Sequence, residues 1–249
     1  MKIVVCLKRV VDTETRVKIA GDGRSIDAAG VQYIMAPYDE MAVEKAIQLR
    51  EAAGSGEVVV LTVGPAAATK ELRTALAMGA DAALHVVEEA ALDATATSAA
   101  LAAALEGQAA DVILCGKQAT DDDDAAVGPM LAARLDLPCV AFVDRLEVEG
   151  GTAKARREID GEVEHLVVQL PAVFTAQKGL AEARYPGLKG IMAAKKKPLE
   201  TLTRSEVAER TEVRALALPA ARAAMVSIEP SADGMRQLLQ ALRNDKKVI

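Results

Sequence analysis

The feature that most constrains the fold is an alternation of two patterns. Short β-branched, apolar runs exchange with longer stretches whose apolar residues recur at helical spacing. Ile3 to Leu7 is the first run, and being apolar at every position it fits the middle of a parallel sheet covered on both faces. From Tyr38 to Ala53 the positions Met41, Ala42, Ala46, Ile47, Leu49 and Ala53 fall on one helical face, which Gly54 ends. Strands follow over Glu57 to Val63, Ala83 to Val87 and Asp111 to Cys115, interleaved with helices over Thr69 to Met78, Ala94 to Leu105 and Ala125 to Leu135. Short connections and right-handed crossovers turn this order into an α/β fold with a doubly wound, mostly parallel sheet. Only 2% of residues are aromatic and none is Trp, so Ala, Val, Leu, Ile and Met must fill its layers.

Three segments depart from the alternation. Arg16 to Ile19 and Ser25 to Asp27 flank Gly21-Asp22-Gly23 and read as a small hairpin. Beyond Pro138, Ala141 to Val148, Thr152 to Ile159 and Val163 to Gln169 are strands joined at Gly150-Gly151 and Asp160-Gly161, so antiparallel hairpins extend the sheet or protrude from it. From Gly179 onward periodicity fades through Tyr185-Pro186-Gly187 and Lys195-Lys196-Lys197, which marks a long exposed segment. A last capped helix begins near Ser231 with Leu238, Leu239 and Leu242 on one side, and an isolated amphipathic helix needs a surface to pack on. The expected organisation is an α/β domain over 1–200, including an exposed loop near 182–198, and a C-terminal extended arm over 201–249.

Composition narrows the function classes. A net charge of -6 with so few aromatic rings argues against a general nucleic-acid binder. Cys6, Cys115 and Cys139 form no CxxC pair and read as packed small hydrophobes in a reducing, cytoplasmic compartment. His85 and His165 are too few for a His-rich metal site, no metal site is expected, and both read as structural. The apolar stretch before Lys8 and Arg9 is too short for a signal peptide or a membrane span. No nucleophile with an evident base partner stands out, so no catalytic residue is assigned.

In such a sheet ligands sit beyond the carboxyl ends of the strands, where strand order reverses. The candidate loops are Lys8 to Asp12, Val63-Gly64-Pro65, and Gly116 to Thr120 followed by Asp121 to Asp124. The last leads into a helix whose first amides, near Ala125, Ala126 and Val127, suit a phosphate. No GxGxxG or GxxxxGK[ST] occurs, so ordinary dinucleotide and P-loop readings fail. The four aspartates leave three readings open: a solvated helix start with Asp124 as N-cap, a nucleotide contact, or a divalent cation. The lysine triplet is either a solvated charge run or a patch for an acidic partner.

Val4 to Val10, Thr74 to Asp81, Gly116 to Ala119 with its acids, Arg157 to Gly161 through Leu170 to Val173, and Arg184-Tyr185 through Ile191-Met192 to the lysines form a set of segments in a fixed order. Together they resemble the β (small) subunit of electron-transfer flavoproteins over nearly the whole chain. The resemblance implies an adenine-nucleotide α-hydrolase-like fold in a non-enzymatic electron carrier. Its partner α subunit holds most of one FAD, and β stores AMP structurally. The carrier takes electrons from flavin dehydrogenases, such as the acyl-CoA dehydrogenases of fatty acid oxidation, and passes them to a quinone oxidoreductase.

By matching positions, AMP is expected around Cys6, Ala36, Val63, Asp122, Ala125, Ala126 and Val127, while Thr13 and Tyr38 form a wall of the FAD site. Leu188, Ile191, Met192 and Glu158 are expected to dock partners. Many relatives carry Asn-Gln-Thr after the acids where this chain has Ala125-Ala126-Val127, so only backbone amides remain there. Members that bind a second FAD carry Asp-Gly-Asp-Thr in this loop, and Asp121 to Asp124 lacks that glycine, which favours AMP. A stress-type nucleotide-binding homodimer is the rival reading from another class. An ATP-pyrophosphatase would need a Ser-Gly-Gly loop where Lys8 to Val11 stands.

Overall fold

The computed structural model describes residues 1–203, 208–222 and 224–249. It falls into two units, Met1–Arg214 and Ala215–Ile249.

The first unit opens with β1 (Lys2–Cys6), β2 (Arg9–Val11), β3 (Tyr33–Met35) and α1 (Pro37–Ala53). The alternation continues through β4 (Glu57–Gly64), α2 (Thr69–Met78), β5 (Ala82–Val87), α3 (Ala94–Leu105), β6 (Val112–Gly116) and α4 (Val127–Leu135). It closes with β7 (Cys139–Glu149), β8 (Thr152–Ile159), β9 (Glu162–Gln169), β10 (Ala172–Ala176), α5 (Leu188–Ala194) and β11 (Leu199–Leu202). The main sheet has nine strands in the order β11-β5-β4-β1-β6-β10-β7-β8-β9. It is parallel except where β8 pairs antiparallel with β7 and β9.

Side-chain alternation in β1 builds both layers. Ile3 and Val5 join Ala42, Val43, Ile47, Leu72 and Leu76 of α1 and α2, whereas Val4 and Cys6 join Ala100, Leu101 and Leu131 of α3 and α4. Each fully buried aliphatic side chain contributes about 1.5–3 kcal/mol. Where glycine faces the sheet, backbones approach closely. Gly128 of α4 is the clearest case, since a Cβ there would lie 2.6 Å from Thr175 Cγ2 on β10.

The expected strands and helices are present with ends shifted by one or two residues. The hairpin near 16–27 reduces to a single bridge, Ile19 with Ile26, around an Asp22 turn. The ladder that forms instead joins Arg9–Val11 to Tyr33–Met35, because those short apolar segments flank the insert and pair antiparallel.

Besides β2 and β3, the elements β10, α5 and β11 were not anticipated. Strand β10 is only five residues long and follows Pro171, which a strand tolerates at its start, yet it is buried throughout and fills the place between β6 and β7. Helix α5 and strand β11 order the segment expected to be irregular, since α5 packs on α2 and β11 completes the edge beside β5. Helix α4 starts at Val127 rather than Ala125, because Asp123 and Ala125 adopt left-handed conformations with φ of 54° and 51°. Its N-cap is therefore Ala126, not Asp124. Cys6 and Cys115 are packed as expected, but Cys139 at the start of β7 is exposed.

In the second unit, Ser231 caps α6 (Ala232–Gln240) by accepting the Gly234 N–H at 3.1 Å. Met235 and Leu239 of that helix are exposed. The arm expected over 201–249 includes residues 204–207 and 223, which lie outside the described residues.

Candidate functional site

Strand β1 is followed in the chain by neighbours on one side, β4 and β5, and the chain then crosses to β6 on the other. Beyond the carboxyl ends of β1, β4 and β6 lies a cavity of about 390 Å³. That is a small-molecule size. Cys6, Val63, Asp122, Ala125, Ala126 and Val127 all line it, so six of the seven residues expected to hold a nucleotide meet in one place. Ala36 is buried at the N-cap of α1, outside this lining. Parts of all three candidate loops also contribute, through Lys8 and Arg9, Gly64 and Pro65, and Gly116 to Ala119.

The acidic run does not leave four free charges facing the cavity. Lys8 Nζ lies 2.8 Å from Asp121 Oδ1 and 2.6 Å from Asp122 Oδ2. Burial alone would depress the Lys8 ammonium, but its bonds to these two carboxylates outweigh burial and raise its pKa. Asp123 accepts the Gln118 side-chain amide at 2.8 Å. Asp121 thus holds an ion pair, contrary to a purely solvated helix start. Among the described residues no three His, Cys, Asp or Glu side chains gather as metal ligands would. Just past the acids, the amides of Ala126, Val127 and Gly128 open α4, while Pro129 has none to offer.

Asp39 is a cavity residue that sequence reasoning missed. Its Oδ2 accepts the Lys8 N–H and its Oδ1 the Gly116 N–H, each at 2.7 Å, so one carboxylate ties the ends of β1 and β6 together. Burial pushes this carboxyl up to about 7, against the downward pull of the two amides. In the sequence an acid in a helix's first turn reads only as a partner for the helix dipole. The cavity floor also holds Cys6 and Cys115, which are register neighbours on β1 and β6. Contact with Cys6, together with burial, pushes the Cys115 thiol up, so it packs as a neutral group.

Tyr38 is half-buried in the first turn of α1, outside the cavity lining, with Lys117 Nζ 4.9 Å from its ring centre. Thr13 is exposed in the turn after β2. Phe142 adopts φ of 62° beside a β7 irregularity, and Lys117 Nζ also lies 5.8 Å from its ring. On α5, Leu188, Ile191 and Met192 are all exposed. Glu158 is exposed on β8, opposite Val163. His85 is buried, with Nε2 donating to Gly64 O at 3.0 Å.

Fold and cavity together define a doubly wound α/β protein with a cavity at its strand ends, the place where ligands sit in such sheets. Residues 24–207 match the electron transfer flavoprotein domain. The chain is 40% identical over 249 residues to the electron transfer flavoprotein subunit beta of Syntrophomonas wolfei, with 100% of this chain and 98% of that one covered. It is 41% identical to the Bacillus subtilis protein of the same description, over the full length of both chains. The Homo sapiens protein is 37% identical over 96% of each. The chain belongs to the electron-transfer flavoprotein β-subunit family, and is accordingly an electron-carrier subunit rather than an enzyme. Among the described residues no helix is long and apolar enough to cross a membrane.

Proposed function

We propose that the cavity holds AMP as a structural nucleotide, that Tyr38 and Thr13 face an FAD carried mainly by an α subunit, and that α5 docks dehydrogenases. The observation that carries this reading is the pairing of Lys8 with Asp121 and Asp122, which offsets part of the acidic charge beside the open amides of α4. A phosphate there would meet N–H donors and the positive helix end without the full repulsion of the acidic run. Cys6 and Val63 supply the apolar lining that an adenine ring needs.

The flavin, when bound, supplies the redox chemistry, and this chain supplies its surroundings. Tyr38 offers an aromatic surface and Lys117 a cation held next to that ring. Leu188, Ile191 and Met192 form the apolar ridge for a transient partner, and Glu158 offers a charge to the α subunit. The exposed apolar side of α6 packs on that same subunit. Electrons pass from flavin dehydrogenases, including acyl-CoA dehydrogenases, through the complex to a quinone oxidoreductase. Three free cysteines fit a reducing cytoplasm.

Purifying the chain with its α subunit, denaturing the complex and weighing the released nucleotides should give one FAD and one AMP per heterodimer. Lys8→Gln should lower the AMP content several-fold while leaving FAD unchanged, because two carboxylates then face the phosphate without a counter-charge. A second FAD in place of AMP, or equal AMP content in Lys8→Gln and the parent, would overturn this reading of the cavity.

A further inference from the structure

Segment 184–197 carries the exposed ridge, and both of its ends are fastened to helices by bonds that its sequence does not announce. At the start, Arg184 spans two acids of α1: Nε donates to Glu44 Oε2 at 2.7 Å, Nη2 to Glu44 Oε1 at 2.9 Å, and Nη1 to Glu51 Oε1 at 2.9 Å. Glu44 is buried, so this is a forked charge pair on a fixed base rather than a loose surface contact.

At the other end, α2 and the segment cap one another. Arg73 Nη1 donates to Ala194 O at 2.6 Å and Lys197 O at 2.9 Å, while Lys197 Nζ donates to Leu76 O at 2.9 Å and Ala80 O at 2.5 Å. Carbonyls at and just past the end of α5 thus receive Arg73 of α2, and those at and just past the end of α2 receive Lys197, three residues beyond α5. Lys195 and Lys196 are exposed, so within the lysine triplet the third alone is committed to carbonyls by these bonds. Between the anchors α5 lies tight on α2, since a Cβ at Gly190 would come within 2.5 Å of Ala77 O.

We infer that Arg184 and Lys197 are positioning residues for partner recognition: each fixes one end of the segment, so that Leu188 and its apolar neighbours meet a dehydrogenase as an already ordered ridge. The inference rests on the reading of α5 as the docking surface. Its physical basis is that ordering free backbone on binding costs conformational entropy, a cost the anchors remove from the encounter.

The test uses the flavin-loaded heterodimer as electron acceptor for an acyl-CoA dehydrogenase, measuring KM for the heterodimer and kcat separately. Leu188→Ala should raise KM about tenfold with kcat nearly unchanged. Lys197→Gln and Arg184→Gln should each raise KM by about the same factor at unchanged FAD content. In the Lys197→Gln background Leu188→Ala should cost less than in the parent, because the ridge is already displaced. Lys197→Arg, which keeps cationic donors, should recover part of the loss. Hydrogen exchange over 184–197 in the absence of dehydrogenase should be faster in Lys197→Gln. If Leu188→Ala raises KM while Lys197→Gln and Arg184→Gln change neither KM nor exchange, or if the effects multiply independently, the positioning role is overturned and the docking surface stands. If Leu188→Ala leaves KM unchanged, the docking surface falls and the inference with it.

Discussion

Asp39→Asn should destabilise the heterodimer at pH 5 and by little or nothing at pH 8. The carboxylate is buried and accepts two backbone N–H groups at 2.7 Å, one from Lys8, two residues past β1, and one from Gly116, the last residue of β6. Asn presents an NH₂ to one of those donors, which costs about 1–3 kcal/mol for the amide left unsatisfied. The pH dependence comes on top of this. Burial raises the folded-state value from 3.8 to about 7, so across that window the folded protein holds more proton than the unfolded chain. The stability this group contributes is therefore full below pH 3.8 and is lost as the pH rises through 7. At 1.36 kcal/mol per pKa unit, the parent's advantage over Asp39→Asn should shrink by about 2–3 kcal/mol between pH 5 and 8. Urea midpoints of both proteins at four pH values in that range would show it. A gap that widens with pH would mean that Asp39 is held ionised by its two amides and Lys8.

Gly128→Ala should cost about 1–3 kcal/mol and lower AMP content together with it. The added Cβ would stand 2.6 Å from Thr175 Cγ2, a stiff β-branched group in fully buried β10, so either α4 backs away or Thr175 rotates. Rotation would break the bond from Phe142 N–H to Thr175 Oγ1, now 2.9 Å, and retreat of α4 would move the amides at the cavity. Thr175→Ser removes the offending methyl and keeps the hydroxyl. The double variant Gly128→Ala/Thr175→Ser should therefore regain most of the AMP content and of the melting temperature. Failure of the serine to rescue would show that the glycine is needed for backbone reasons instead of close helix-to-sheet contact.

These two positions also mark the boundary between what the chain announces and what it conceals. Gly128 sits inside a helical pattern, where a glycine reads as a weak helix former. Its contact with β10 depends on a strand that arrives from more than forty residues away. Asp39 reads as a dipole partner at a helix start, and only the convergence of β1 and β6 turns it into the tie between them. The lysine triplet reads as either solvated charge or a patch for an acidic partner, yet Lys197 spends its ammonium on the Leu76 and Ala80 carbonyls at and beyond the end of α2.

The chain's own pattern determined the class of fold and the place of the cavity, because both depend on local properties. Short, uniformly apolar, β-branched runs fit strands covered on two faces, helical periodicity supplies the covers, and strand ends at an order reversal leave an opening. The loops at Lys8, Val63 and Gly116 were found for that reason. Tertiary structure alone decided the insertion of β10 between β6 and β7, the start of α4 at Val127 and the ordering of segment 184–197. Each of these involves groups distant in sequence: β10 pairs with β6 and β7, Lys8 holds Asp121 and Asp122 ahead of α4, and Arg184 and Lys197 tie segment 184–197 to α1 and the end of α2, while Ala125 takes a left-handed backbone that no alanine adopts by preference.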